Sequence, residues 1–169
     1  MQELAEECFT QQCEQVKNEF WNQDLANEYT AELQKIEANA AITLKELQEA
    51  EVKADDELAL AQANYDTVLD EFKAGSEAAQ KAYDDCIAKC AGDPACEADC
   101  LADRDATIAK LQADLDAAAE NLADAQAAYD AAVAATAAAA EAYEEAQEAV
   151  VEQDNRVDQI QALCGGGLS

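Results

Sequence analysis

Residues 86–100 read CIAKCAGDPACEADC, and this stretch decides the fold. It holds four of the chain's seven cysteines and its single proline, with the cysteines placed symmetrically about Asp93. Cys86 and Cys90 are spaced i, i+4, as are Cys96 and Cys100, so on helices each pair shares one face. The residues between them are turn residues. Lys89 puts a cation in the last turn of a first helix, and Gly92 suits the position just past its end. Asp93 is an N-cap, Pro94 suits the first helical position, and Glu97 favours the positive end of a second helix. The expectation is a helix, a reversal over residues 91–95, and a second helix.

Working outward, the two flanks share a rhythm. Toward the C-terminus, Leu101, Ile108, Leu115, Leu122, Tyr129, Thr136, Tyr143, Val150, Val157 and Cys164 stand seven apart. Arg104, Leu111, Ala118, Ala125, Ala132, Ala139, Ala146, Gln153 and Ile160 interleave with them. Toward the N-terminus, Cys86, Ala79, Phe72, Tyr65, Leu58, Glu51 and Leu44 form one series; Ala82, Gly75, Val68, Ala61, Ala54 and Leu47 form the other. A sustained 3-4 spacing specifies a coiled coil. Folding the chain at Gly92–Asp93 brings the series into register, with Leu115 opposite Phe72, Leu122 opposite Tyr65 and Ala125 opposite Ala61. Large rungs alternate with alanine rungs, which lets two antiparallel helices approach closely. Glu51 opposite Thr136 interrupts the seam and would fix register. The fold class expected is all-α: a long antiparallel two-helix coiled-coil hairpin with an alanine-rich seam and a stapled tip. A continuous helix in a parallel dimer would have to run straight through Gly92–Pro94.

The hairpin would span residues 23–164, its second helix extending ~100 Å. Cys164 falls opposite Asn22, which leaves residues 1–22 as a helical overhang or a fold-back. Residues 165–169 form a flexible glycine-rich tail.

Composition supports a helical rod rather than a globule. Half of the residues are apolar but aromatics make up only 5%, too few large side chains for a three-dimensional core. Formal charge is −28, from 38 acidic and 10 basic residues, which disfavours nucleic acid and anionic lipid as partners. No apolar run reaches the roughly 20 residues needed to span a bilayer, so membrane insertion is not expected. The acidic opening MQELAEECFTQQ lacks the form of a signal peptide, which fits a chain without one or a mature form.

In the expected register Cys90 meets Cys96 and Cys86 meets Cys100, giving two nested disulfides. The spacing resembles the twin Cx3C helical hairpin of small mitochondrial intermembrane-space chaperones and plant hairpin peptides. That resemblance covers residues 86–100 alone and implies two hairpin-closing disulfides. Two other states compete: zinc held tetrahedrally by four thiolates, although knuckle sites prefer Cx2C, and reduced thiols in the seam. Disulfides would place the protein in an oxidising setting, extracellular or on the cell surface.

Cys8, Cys13 and Cys164 remain, an odd number that suggests an intermolecular bond or a reactive thiol. The N-terminal segment also carries Phe9, Val16, Phe20 and Trp21, a candidate assembly interface. The rival reading packs this segment back on its own hairpin. Residues 131–140, AAVAATAAAA, are uncharged all round and suit either lateral bundling or plain helix formation.

Catalytic chemistry is disfavoured. The chain has no histidine, no glycine-rich phosphate loop and no nucleophile elbow. Paired carboxylates need a desolvated cleft to act as acid and base, and two helices offer none, so neither catalysis nor a bound cofactor or resident metal is expected. Exposed carboxylates would hold divalent cations only diffusely. The function expected is a structural subunit of a secreted or surface fibre that assembles with itself through its cysteine- and aromatic-bearing ends. The alternatives are an extracellular or periplasmic coiled-coil binding or chaperone module, monomeric or dimeric, and an intracellular zinc-tipped tether.

Overall fold

The computed structural model describes residues 23–163. Two helices account for all of these except Ala91, Gly92 and Asp93: α1 is Gln23–Cys90 and α2 is Pro94–Leu163. They pack against each other as an antiparallel hairpin, with no strand among the described residues. None of these helices is long and apolar enough to cross a membrane.

The reversal follows the turn chemistry. The Asp93 amide donates to the Cys90 carbonyl at 3.0 Å, closing α1. Asp93 then caps α2: its Oδ1 accepts the Ala95 amide at 3.1 Å, and its carbonyl accepts the Glu97 amide at 3.0 Å. The side-chain bond satisfies an amide that a helix start leaves without an internal partner, and the carbonyl bond is the first of the helical ladder. Gly92 has φ 85°, the left-handed conformation glycine adopts freely. Ala91 also lies there, at φ 53°, which costs a residue bearing a Cβ roughly 1–2 kcal/mol. The turn is tighter than the expected 91–95, because Pro94 and Ala95 already belong to α2.

The hairpin divides into two compact units: Glu49–Ala134, the turn unit, and Met1–Gln48 with Ala135–Ser169, the terminal unit. In the turn unit, the half-buried and buried positions recur at the expected rungs. Phe72, Tyr65, Leu58, Leu111, Leu115 and Leu122 are shielded, and Ala79 and Ala118 are buried. One rung departs from the reading near the tip. Ala82 and Leu101 are exposed and Tyr83 takes the seam position in place of Ala82, while Arg104 is half-buried where the heptad series puts it. There the spacing runs Ala79–Tyr83 and Cys100–Arg104–Ile108, four and four instead of three and four. The cysteines impose this shift, because a disulfide at i, i+4 on each helix pins a four-residue step where the heptad would take three.

Gly75 shows how closely the helices approach in this unit. A Cβ built on it would lie 2.6 Å from Leu111 Cδ1, so the leucine side chain occupies the place a larger residue would fill. This is a knob entering a hole whose floor is backbone.

The terminal unit continues the seam on α1 past Leu44, where the sequence reading stopped. Ala40, Glu37, Leu33 and Thr30 are half-buried at the same spacing, and Ala26 is buried. On α2, Ala146 and the polar Gln153 are buried, the latter 6% exposed. The Thr136 hydroxyl donates across the seam to the Leu47 carbonyl at 3.3 Å. A helical carbonyl points toward the residue four places on, so this bond marks the level assigned to Thr136 from the heptads.

On the exposed faces glutamine repeatedly bonds an aspartate four residues on: Gln62 to Asp66, Gln80 to Asp84, Gln112 to Asp116 and Gln126 to Asp130, at 2.7–3.0 Å. Such pairs contribute ~0.2–0.5 kcal/mol each. With 38 acids against 10 bases, most carboxylates cannot have a cationic partner, and neutral donors at helical spacing supply what support a polyanionic surface allows.

Candidate functional site: the cysteine tip

Four cysteines converge where α1 ends and α2 begins. Cys90 is the last residue of α1, Cys96 lies in the first turn of α2, and Cys86 and Cys100 stand one turn farther from the reversal. The disulfides are Cys86–Cys100, Cα atoms 5.9 Å apart, and Cys90–Cys96, Cα atoms 5.5 Å apart. Both separations are ordinary for disulfides, so the antiparallel register brings the pairs together without distorting either helix. Cys100 and Cys90 are buried, 3% and 7% exposed; Cys86 and Cys96 are half-buried.

The bridges also touch each other. Cys90 Sγ and Cys100 Sγ lie 3.5 Å apart. Each sulfur already belongs to a disulfide and carries no proton, so this is a van der Waals contact between the bridges. The sulfurs of Cys86, Cys90 and Cys100 all fall within 4.8 Å of one another.

Beside the staple, the Arg104 guanidinium sits 4.7 Å from the centroid of the Tyr83 ring, a cation–π contact. Its Nη2 and Nε donate to Asp105 Oδ1 at 2.7 and 3.0 Å. These contacts explain how a basic residue is tolerated in the seam: the long side chain lies along the tyrosine face and keeps its charge paired. A hollow of about 140 Å³ lies there, lined by Ala79, Tyr83, Cys86, Cys100 and Arg104 among others. It is smaller than the roughly 300 Å³ at which small-molecule pockets begin.

Of the expected site residues, the structure brings together Cys86, Cys90, Cys96 and Cys100. Cys8, Phe9, Cys13, Val16, Phe20, Trp21 and Cys164 lie outside the described residues, as do the predicted overhang over residues 1–22 and the tail over 165–169. Sequence reasoning missed the Tyr83–Arg104 pair, although a lone arginine at a seam position was its visible signal. The described chain thus falls in the class of antiparallel helical hairpins closed by nested disulfides. Comparison with known protein families, with curated proteins and with solved structures finds no match.

Proposed function

We propose that the chain is a structural subunit of a secreted or cell-surface fibre or appendage, assembling with copies of itself through its ends. The observation that carries this reading is the double staple, two disulfides within one short reversal. Disulfides persist in oxidising surroundings, and a seam with no large side chain fully buried among the described residues gains little stability from its core alone. Covalent closure of the turn suits a protein that must last outside the cell.

Two features of the sequence support self-assembly. Cys8, Cys13 and Cys164 supply thiols for bonds between chains, and Phe9, Val16, Phe20 and Trp21 are large apolar residues close to two of them in the sequence. The charge of −28 keeps subunits apart until counterions screen it, a role open to diffusely held divalent cations. The same charge argues against nucleic acid and anionic membranes as partners.

Size measurement of native material under non-reducing conditions tests the reading. A ladder of covalent multimers that collapses on reduction is expected, and Trp21→Ala should shorten it. A single species of one or two chains would instead identify a coiled-coil binding or chaperone module.

A further inference from the structure

The four sulfurs of the tip are placed for a second chemistry. Zinc bound by thiolates has Zn–S distances near 2.3 Å, which sets sulfur–sulfur edges of a tetrahedron at about 3.8 Å. Cys90 and Cys100 Sγ already stand at 3.5 Å, and Cys86 Sγ lies within 4.8 Å of both. Cys96 Sγ is bonded to Cys90 Sγ but stands outside the group of three that lie within 4.8 Å of one another, so it is the ligand that must move farthest. Converting the disulfides to a tetrahedron requires each bonded pair to part by somewhat less than about 2 Å and the Cys96 sulfur to swing toward Cys86 and Cys100, movements made by side-chain rotation on Cα frames 5.5–5.9 Å apart. Cys90 ends one helix and Cys96 lies in the first turn of the next, so the ligands do not all come from the straight interior of a helix.

We propose that in the reduced chain these four cysteines form a tetrathiolate site for one zinc-class divalent cation, exclusive of the disulfides. An external dithiol supplies the electrons: it reduces each protein disulfide to two thiols and itself becomes a cyclic disulfide. The cation then displaces the four thiol protons. With both disulfides formed, no thiolate is free to ligate. Burial favours the metal-bound form over free thiolates, because four anions gathered where Cys90 and Cys100 are 7% and 3% exposed need a compensating cation. The field around the tip is favourable too, with Asp93, Glu97 and Asp99 close by in the chain and a net charge of −28 overall. Metal and disulfide would each hold the reversal closed, one in reducing and the other in oxidising surroundings, so the hairpin register could be set before oxidation. This inference is independent of fibre assembly, since it concerns a single reduced chain.

The test uses the full chain carrying Cys8→Ser, Cys13→Ser and Cys164→Ser, which leaves only the tip thiols. Reduced anaerobically with excess phosphine, it is titrated with cobalt(II) and then zinc(II), while circular dichroism follows helicity. One cobalt per chain with the spectrum of tetrahedral thiolate coordination, displaced by one equivalent of zinc, is expected. Zinc should also protect all four thiols from alkylation, and Cys86→Ser should weaken binding by more than about tenfold. A cobalt spectrum of octahedral type, one metal shared between two chains, or equal binding by the oxidised protein would overturn the proposal. Because the triple serine variant lacks the thiols the fibre reading assigns to bonds between chains, a failure here is distinguishable from a failure of that reading.

Discussion

The turn unit and the terminal unit use one heptad rhythm but secure it by different means. In the turn unit most rungs are large apolar side chains or alanine and glycine, such as Phe72, Leu115 and Gly75, with Glu51 and Arg104 the charged exceptions, and two covalent bonds close the end. In the terminal unit the half-buried rungs include Thr30, Glu37 and Thr136, with Gln153 buried outright. There a hydroxyl-to-carbonyl bond from Thr136 to Leu47 does part of what apolar bulk and sulfur do near the turn. Polar rungs define register at a cost in stability, whereas disulfides stabilise mainly by restricting the unfolded chain. Amide hydrogen exchange should therefore be slower at shielded rungs of the turn unit than at those of the terminal unit.

The largest expected loss comes from the staples. Replacing Cys86 and Cys100 by serine should lower stability by about 3 kcal/mol, and the shorter Cys90–Cys96 loop by about 2 kcal/mol, on loop-closure entropy. Denaturant unfolding measures both, and far-ultraviolet circular dichroism of the fourfold variant should remain helical. Loss of most helicity would mean the seam cannot hold the hairpin without sulfur, and the contrast between units would lose its basis.

Next in size is the knob at Gly75. Leu111→Ala should cost about 2 kcal/mol, at the low end for a leucine because the side chain is only half-buried. Gly75→Ala alone sets a helix-propensity gain of up to ~1 kcal/mol against displacement of Leu111. In the Leu111→Ala background the gain should stand unopposed, so a double-mutant cycle should show coupling. Strictly additive effects would contradict the close approach.

Smaller effects separate the units further. Thr136→Val should cost about 1 kcal/mol and speed exchange around Leu47 without altering the disulfide-closed tip. Tyr83→Leu should cost ~0.5–1 kcal/mol by removing the ring beneath Arg104. Equal exchange effects in both units from either substitution would show that the chain does not divide as described.

Much of this architecture was legible in the residues, for identifiable reasons. Leu115, Leu122, Phe72 and Tyr65 are large and regularly spaced, and Gly92, Asp93 and Pro94 each have a strong positional preference, so seam and reversal could be read directly. The upstream rungs Thr30 and Glu37 were not read, because polar side chains carry no apolar signal even where packing shields them. That Tyr83 rather than Ala82 sits in the seam, and that Leu101 is exposed, was also hidden. A heptad extrapolated to the tip cannot register that two i, i+4 disulfides force a four-residue step. Ala91 at positive φ runs against its own propensity and follows from closing the turn in so few residues. Within the site, symmetry of spacing announced the two bridges. The diagonal approach of Cys90 to Cys100 was not visible, because pairing by register compares opposite residues and ignores diagonal neighbours.

The central claim is that the chain doubles back at Gly92–Pro94 so that Phe72 and Leu115 lie across one seam. Spin labels at these two positions, measured by pulsed dipolar spectroscopy in magnetically dilute samples, test it most directly. The hairpin predicts a short separation, near the 8–10 Å between packed helix axes plus the reach of the labels. A continuous helix through the reversal would place them about 65 Å apart, and that result would contradict the fold.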